Sequence, residues 1–368
     1  MDKYSEELKD RVVGCFLGGA IGDALGYQCE FEHNLKEREY TTYKDDYGIF
    51  SDDTQMTLFT ANALLWEKTR IVLKEMPPTT IACIHRAYRD WYFTQNNVQP
   101  DQQNVSWIDK LAFIRRRRNP GFTCLNALTN ISAKEYGTIK DPVNQSKGCG
   151  GAMRVAPIGL YANSLKEAVE LSAKSAAITH GHPLGIIPAA FVGGLIYEIA
   201  HDNTHNFNEQ LHLSFVFTKQ FATQYFYHQY QDTFMAIMRK AFELSQNNAR
   251  DLDNIKQLGS GWTAEEAVAI AIYSCIRHAD NFEDAVVASI NHDGDSDSTG
   301  SIAGGIMGAL LGIKAIPQYY VNNIEHSDFL LDFANDFATC QSDKISNLPE
   351  TDPWFTKYTE CKPAQEYN

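Results

Sequence analysis

Apolar residues along this 368-residue chain recur at three- and four-residue steps, and two-residue alternation of useful length is hard to find. In "TAEEAVAIAIYSCIRHAD", Ala267, Val268, Ala271, Ile272, Cys275 and Ile276 fall on one stripe, which predicts a helix with a single buried face. The stretches "SLKEAVELSAKSAAITH" and "MTLFTANALLWEK" read the same way, and no two-residue hairpin signal interrupts them. The expectation is an all-α fold in one compact domain spanning 1–368, with a polar, aromatic-rich helical insertion at about 201–258.

Two segments break ordinary helix rules in the same way. Gly14, Gly18, Gly22 and Gly26 repeat every four residues, and so do Gly300, Gly304, Gly308 and Gly312. Each glycine inside a helix costs about 0.8–1.0 kcal/mol relative to alanine. A face without side chains lets another backbone approach very closely. The two segments are therefore expected to be central helices packed tightly into one core, joining the two ends of the chain.

Composition narrows the partners. Hydrophobic residues make up 44% and charged residues 21%, enough for a sizeable core. The net charge of −14 disfavours binding to duplex nucleic acid, which needs a basic face. The run Arg115–Arg118 is expected to be a solvated turn before Asn-Pro-Gly. Eight cysteines without a C-x-x-C pair suggest free thiols in a reducing, cytoplasmic setting. The N-terminal "MDKYSEELKDRVVGC" lacks a signal-peptide layout. Asp23 interrupts the next apolar stretch, which is too short to span a bilayer, so no membrane association is expected.

Each glycine-striped segment has acids beside it. Asp23 and Glu30 accompany the first, followed by "SDDT" at Ser51–Thr54; the second is preceded by "NHDGDSDSTG", with Asp293, Asp295, Asp297, Ser298 and Thr299. If the helices meet, these carboxylates converge, repel one another and raise each other's pKa values unless a cation neutralises them. Carboxylates and hydroxyls without clustered imidazole or thiolate suit Mg²⁺, Mn²⁺ or Ca²⁺ rather than zinc. The plainer alternative for Ser51-Asp52-Asp53 is a helix cap with acids on the N-terminal dipole. An EF-hand starting at Asp293 fails, because its sixth position is Ser298 and its twelfth Gly304. The D-x-D-x-T of Asp295, Asp297 and Thr299 follows a helical stretch rather than the buried strand that an aspartyl-phosphate enzyme requires.

The segments "GCFLGGAIGDALGYQCEFE", "SDDTQMT", "RRNPGFTCLNAL", "SKGCGGAMRVAPIGLYA", "ITHGHPLGIIPAAFVGGLI" and "INHDGDSDSTGSIAGGIMGALLG" together resemble the ADP-ribosylglycohydrolase family, in order from about Asp10 to Gly312. The resemblance implies a compact helical fold with a dinuclear metal cleft for ADP-ribose, holding two Mg²⁺ with Mn²⁺ as substitute. It assigns the metal ligands to Ser51, Asp52, Asp53, Asp295, Asp297 and Ser298. Glu30, in the family's G-D-x-x-G-x-x-x-E pattern, becomes the catalytic acid or base. Lys147, Gly148, Cys149, Gly150 and Met153 of the glycine-rich loop, with His180, become substrate-binding residues.

The implied reaction is hydrolysis of the N- or O-glycosidic bond between ADP-ribose and a protein or small-molecule acceptor, releasing ADP-ribose and reversing ADP-ribosylation. Arginine is the preferred acceptor, since an acidic cleft suits a guanidinium, and the enzyme is expected to act as a monomer. The alternatives are a silent ADP-ribose-binding relative, or a hydrolase of another nucleotide-sugar or phosphate ester. A nucleophilic Cys149 is disfavoured because no partnered His-Asp arrangement is visible. The acceptor rim is expected from the loop Glu32–Ile49 and parts of 201–258, and Trp262 is expected in the core rather than at the cleft.

Overall fold

The computed structural model describes residues 3–31, 40–100, 103–129, 136–340, 343–349 and 351–367. These hold sixteen α-helices and, among the described residues, no β-strand. In chain order the first half runs α1 (Lys3–Tyr27), α2 (Asp52–Val72), α3 (Thr80–Asn96), α4 (Phe122–Ala127), α5 (Ala156–Tyr161), α6 (Leu165–Ala177) and α7 (Pro183–His201). The second runs α8 (Phe207–Tyr225), α9 (His228–Ser245), α10 (Asp251–Ile255), α11 (Ala264–Arg277), α12 (Phe282–Ile290) and α13 (Ser296–Leu311). Three helices follow, α14 (Gln318–Asn323), α15 (Ser327–Cys340) and α16 (Pro353–Tyr358).

The glycine stripes meet as expected. α1 and α13 run antiparallel with their backbones in contact. A Cβ added at Gly14, Gly18, Gly22 or Gly26 would lie 2.1, 2.2, 2.0 and 2.1 Å from the carbonyl oxygens of Gly308, Gly304, Gly300 and Ser296 respectively. No side chain fits such gaps, so the glycine cost is recovered as a very close helix pair. Gly312 departs from the expectation. It sits at the C-cap of α13 with φ +78°, outside the helix proper, yet its carbonyl carbon still lies 2.8 Å from where a Cβ on Gly14 would stand, and its own Cβ would meet the Asp10 carboxylate of α1. The fourth glycine of the repeat thus closes the seam and ends the helix at once.

α11 also differs from the single-stripe expectation. Every residue from Ala267 to Cys275 is buried and Ile276 is partly exposed, because α7, α9, α12 and α13 enclose the helix. Its small side chains make that enclosure sterically cheap. α7 is long and apolar enough to cross a bilayer by length and composition, yet its surface is buried against α5, α6, α8 and α11. The span 201–258 does carry its own helices, α8 to α10; α8 and α9 pack on α7, and α9 also on α11.

The arginine run is not simply a solvated turn. The buried Arg118 guanidinium pairs with Glu325 at 2.9 Å, and Glu325 also accepts the Phe50 N–H at 3.1 Å. The Arg118 carbonyl accepts the Asp52 N–H at 3.1 Å. This residue therefore fixes the entry to α2. Arg115 and Arg117 donate to the carbonyls of Asp109 and Gln95.

Candidate active site

The antiparallel seam ends where Gly26 meets Ser296, so the chain leaving α1 and the chain entering α13 emerge side by side. Glu30 follows the first, and Asp295 and Asp297 belong to the second. Each offers a carboxylate oxygen, and these atoms lie within 4.8 Å of one another. The N-terminus of α2 brings in Asp52 and Asp53. Asp23 sets its position: its carboxylate accepts the Ser51 N–H at 2.9 Å, the Thr54 N–H at 2.9 Å and the Thr54 hydroxyl at 2.5 Å. The Ser51 hydroxyl caps α2 by accepting from the Asp53 N–H at 3.2 Å. The helix-cap reading and the acid-cluster reading of "SDDT" are thus both realised, by different residues of one tetrapeptide.

Glu30, Asp52, Asp53, Asp295 and Asp297 are all buried. Burial, then repulsion from Asp297, pushes Glu30 up to about 9 and raises Asp52, Asp53 and Asp295 well above the carboxylate range. Burial and Asp297 likewise lift Asp23 to about 7. The neighbouring basic groups do not relieve the repulsion: Arg118 is committed to Glu325 and Lys147 to Glu265. Asp53 Oδ2 and Glu30 Oε2 are buried without a hydrogen-bond partner among the described residues. Asp52 accepts the Gly121 N–H at 3.2 Å, and Asp297 accepts the Ser298 N–H at 2.9 Å. Orphaned carboxylate oxygens in an all-oxygen, mutually repelling set are the donor chemistry of a hard divalent cation.

The opposite wall is the turn at Gly148–Gly151. A Cβ on Gly150 would lie 3.0 Å from Cys124 Sγ and 3.1 Å from His180 Cε1, so glycine keeps this wall thin. The Cys149 thiol donates to Asp295 Oδ2 at 2.7 Å. Burial and then Asp295 push that thiol well up, so it stays protonated and is no nucleophile. His180 is buried behind the same turn, and burial followed by the Arg154 charge lowers it to about 3, leaving the ring neutral.

The resulting cleft of about 270 Å³ is lined by Glu30, Asp52, Asp53, Gly148, Cys149, Gly150, Met153, His180, Asp295, Asp297 and Ser298. Two expected site residues are missing from its walls. Ser51 is buried at the α2 cap, and Lys147 turns its ammonium to Glu265, an acid of the first turn of α11. The Lys147 carbonyl accepts the Ala264 N–H at 2.9 Å, which pins the loop to that helix start and directs the side chain there.

Residues not assigned to the site from the sequence also line the cleft: Asn119, Gly121, Phe122, Thr123, Cys124 and Trp262. Apart from Trp262 they lie in the quoted "RRNPGFTCLNAL", where the Asn-Pro-Gly turn was the available signal. Trp262 is not a core residue. It is 46% exposed at the cleft, its ring centroid 6.4 Å from that of Phe31, which is 61% exposed. Gly261 explains the difference. At φ +83°, with a hypothetical Cβ only 3.0 Å from Thr299 and 3.3 Å from Asp295, it lets the chain graze the acid cluster and turn the indole outward. No lining residue comes from 40–49 or from 201–258, because α8 and α9 spend their apolar faces on α7 and α11. Residues 32–39 of the expected rim lie outside the described residues.

The sequence model of the family described as ADP-ribosylglycohydrolase matches residues 4–346. The ADP-ribosylhydrolase ARH3 of Bos taurus is 27% identical, covering 86% of this chain and 88% of its own. The ADP-ribosylhydrolase ARH1 of Dictyostelium discoideum is 25% identical, over 90% of this chain and 94% of its own. The ADP-ribosyl-[dinitrogen reductase] glycohydrolase of Rhodospirillum rubrum is 22% identical, over 86% and 90%. A solved structure of an ADP-ribosylglycohydrolase-related protein complex shares the fold, with a TM-score of 0.61 at 19% identity, over 92% of this chain and 100% of that one. This chain belongs to the ADP-ribosylglycohydrolase family.

Proposed function

We propose that this protein is a divalent-cation-dependent ADP-ribosyl-acceptor hydrolase that removes ADP-ribose from modified arginine. The observation that carries the reading is the set of buried, unneutralised carboxylates (Glu30, Asp52, Asp53, Asp295 and Asp297) facing a glycine-walled cleft. Asp52, Asp53, Asp295 and Asp297, with the hydroxyl of Ser298 and support from Ser51, would hold two ions, Mg²⁺ with Mn²⁺ as substitute. Divalent cations bound there supply Lewis-acid chemistry, orienting ribose hydroxyls and acidifying water.

The remaining work belongs to the chain. Cleavage at the anomeric carbon of the distal ribose builds oxocarbenium character, so the departing group needs a proton and the incoming water must lose one. Glu30, buried at the cleft with Oε2 uncommitted, is the group that moves that proton. The Gly148–Gly150 backbone and His180 line the wall where the diphosphate and the ribose would rest, and the one side chain of that turn, Cys149, is held on Asp295. The exposed rings of Trp262 and Phe31 at the mouth, next to Glu30, favour a flat cation such as a guanidinium over a hydroxyl acceptor.

The test is release of free ADP-ribose from arginine-linked and serine-linked ADP-ribosyl proteins in parallel, with and without Mg²⁺. Release from the arginine-linked protein only when Mg²⁺ is present is the expected outcome. Release confined to the serine-linked protein would overturn the acceptor, and no release from either would overturn the activity.

A further inference from the structure

Arg154 follows the glycine-rich loop and is fully buried, yet no carboxylate pairs with it among the described residues. Its guanidinium lies 4.2 Å from the Tyr88 ring and donates to Met56 Sδ at 3.3 Å, Cys124 Sγ at 3.4 Å and the Ser175 carbonyl at 3.4 Å. These are weak partners for a desolvated cation, whose burial without a counter-charge is expensive. One contact is short. Arg154 Nη2 donates to Thr179 Oγ1 at 2.6 Å, and the same oxygen lies 2.8 Å from His180 Nδ1.

The proton count along this chain is informative. A guanidinium only donates, so Thr179 Oγ1 accepts from Arg154 and keeps its own single hydrogen for a third atom. Two acceptors are at hand, the thiol sulfur of Cys124 and the imidazole nitrogen of His180, and nitrogen is the stronger. Polarisation by the cation also makes the hydroxyl a better donor. An Nδ1–H on His180 would instead aim its positive end at an oxygen already engaged by the guanidinium. Nδ1 therefore accepts and the ring hydrogen sits on Nε2. That nitrogen faces the glycine wall, 3.4 Å from where a Cβ on Gly148 or Gly150 would stand.

We propose that Arg154 and Thr179 are positioning residues that fix His180 as the neutral Nε2–H tautomer, giving the cleft an N–H donor for an anionic oxygen of the bound diphosphate. The proposal rests on the reading of the cleft as an ADP-ribose site; the relay itself is a property of the ligand-free protein. It gives the uncompensated arginine a use. The charge need not touch the ligand, because the hydroxyl and the imidazole pass its polarisation forward to the cleft.

The experiment is long-range ¹H–¹⁵N correlation of histidine-labelled protein without ligand, the His180 signals assigned with His180→Gln, alongside calorimetry with ADP-ribose. Wild type is expected to show the Nε2–H pattern. Thr179→Val, which keeps shape and removes the hydroxyl, should shift His180 towards the Nδ1–H form and weaken ADP-ribose about tenfold, the effect of a misaimed donor to an anion. Thr179→Ser should restore both. An Nδ1–H pattern in wild type overturns the proposal even if every variant misfolds, and so does an unshifted tautomer in folded Thr179→Val. Failure of wild type to bind ADP-ribose, with the Nε2–H tautomer present, would count against the ADP-ribose reading and leave the tautomer assignment standing.

Discussion

The α1–α13 seam and the acid cleft lie end to end, and they break opposite rules. The seam has no side chains where a helix pair normally has its ridges: Gly14, Gly18 and Gly22 lie directly on the backbones of Gly308, Gly304 and Gly300. The cleft gathers the groups that interiors avoid, buried carboxylates with nothing basic among them. The seam is tolerable because close backbone contact replaces side-chain packing. The cleft is tolerable because the seam leaves it little choice. With the helices locked antiparallel in a fixed register, Glu30 and Asp297 must emerge together wherever Gly26 meets Ser296. Rigidity in the first region holds the repulsion of the second in place.

The largest expected effect follows from breaking that lock. Gly22→Val would press a branched side chain against the Gly300 carbonyl, 2.0 Å from the new Cβ, with backbone on both sides and nothing flexible to yield. The expected cost is about 3–5 kcal/mol or outright misfolding, read as loss of the cooperative thermal transition. The contrast lies one helical step away. A Cβ on Gly19 would meet its nearest atom, the Ser301 carbonyl oxygen, at an ordinary 3.5 Å. Gly19→Ala is therefore expected to gain about 0.5–1 kcal/mol from helix propensity. Equal damage from both substitutions would mean that the seam is not as tight as its geometry indicates.

Neutralising the acid cluster should separate activity from folding, which seam mutations cannot do. Asp297 is the common neighbour, raising Glu30, Asp52, Asp53 and Asp295 by its charge. Asp297→Asn removes that charge and keeps an acceptor for the Ser298 N–H. Turnover is expected to fall by about 10³-fold, the scale of losing a preorganised electrostatic group. The cation-free protein should at the same time melt higher than wild type, because the strongest source of repulsion has gone. An unchanged melting temperature with intact turnover would remove Asp297 from the centre of the site.

The same repulsion fixes a pH dependence with a definite sign. Burial and then Asp297 hold Asp23 at about 7 and Glu30 at about 9, whereas both titrate near 4 in an unfolded chain. The folded protein thus binds protons more tightly than the unfolded one. That stabilisation is complete below about pH 4 and is lost as pH rises through 7 and 9. In chelator, the melting temperature should decline steadily between pH 5 and pH 9. With saturating Mg²⁺ the decline should flatten, because the ion takes over the role of the protons and binds better as they leave. Parallel curves with and without Mg²⁺ would show that no cation binds at these acids.

Much of this arrangement was legible in the chain itself, for reasons that separate one residue from another. The glycine repeats announced a backbone-to-backbone pair because no other fold feature tolerates four helical glycines on one face, and the acids flanking them followed the pairing. What misled were residues whose role depends on direction. Gly312 keeps the four-residue spacing but ends α13, and spacing does not distinguish a cap from a stripe. Lys147 sits in the right loop, but an acid across the fold, Glu265, claims its ammonium. Arg118 belongs to a run that looks solvated, and only the tertiary partner Glu325 draws it inside. Asp23 appeared as one more acid of the cluster, although its oxygens are occupied by the start of α2.

Trp262 is the residue for which hydrophobicity was the wrong guide, and it sets the smallest expected effect. A large apolar side chain defaults to the core; here Gly261 swings it to the cleft mouth, opposite Phe31, in the cleft that Phe122, 77% exposed, also lines. Rings left in water at a mouth contribute only when something covers them, so their value belongs to the bound state rather than to folding. Trp262→Ala should therefore leave the melting temperature nearly unchanged and raise KM for an arginine-linked substrate about three- to tenfold, the scale of one cation–π contact at a partly exposed site. The value of kcat should hold, because the ring lies outside the acids that touch the reacting bond. If free ADP-ribose lost as much affinity as the modified protein did, the ring would be gripping the nucleotide instead of the acceptor. Comparing the two ligands in the same variant thus tells which end of the substrate the exposed aromatics read, and whether the cleft ends at the ribose or extends to the arginine beyond it.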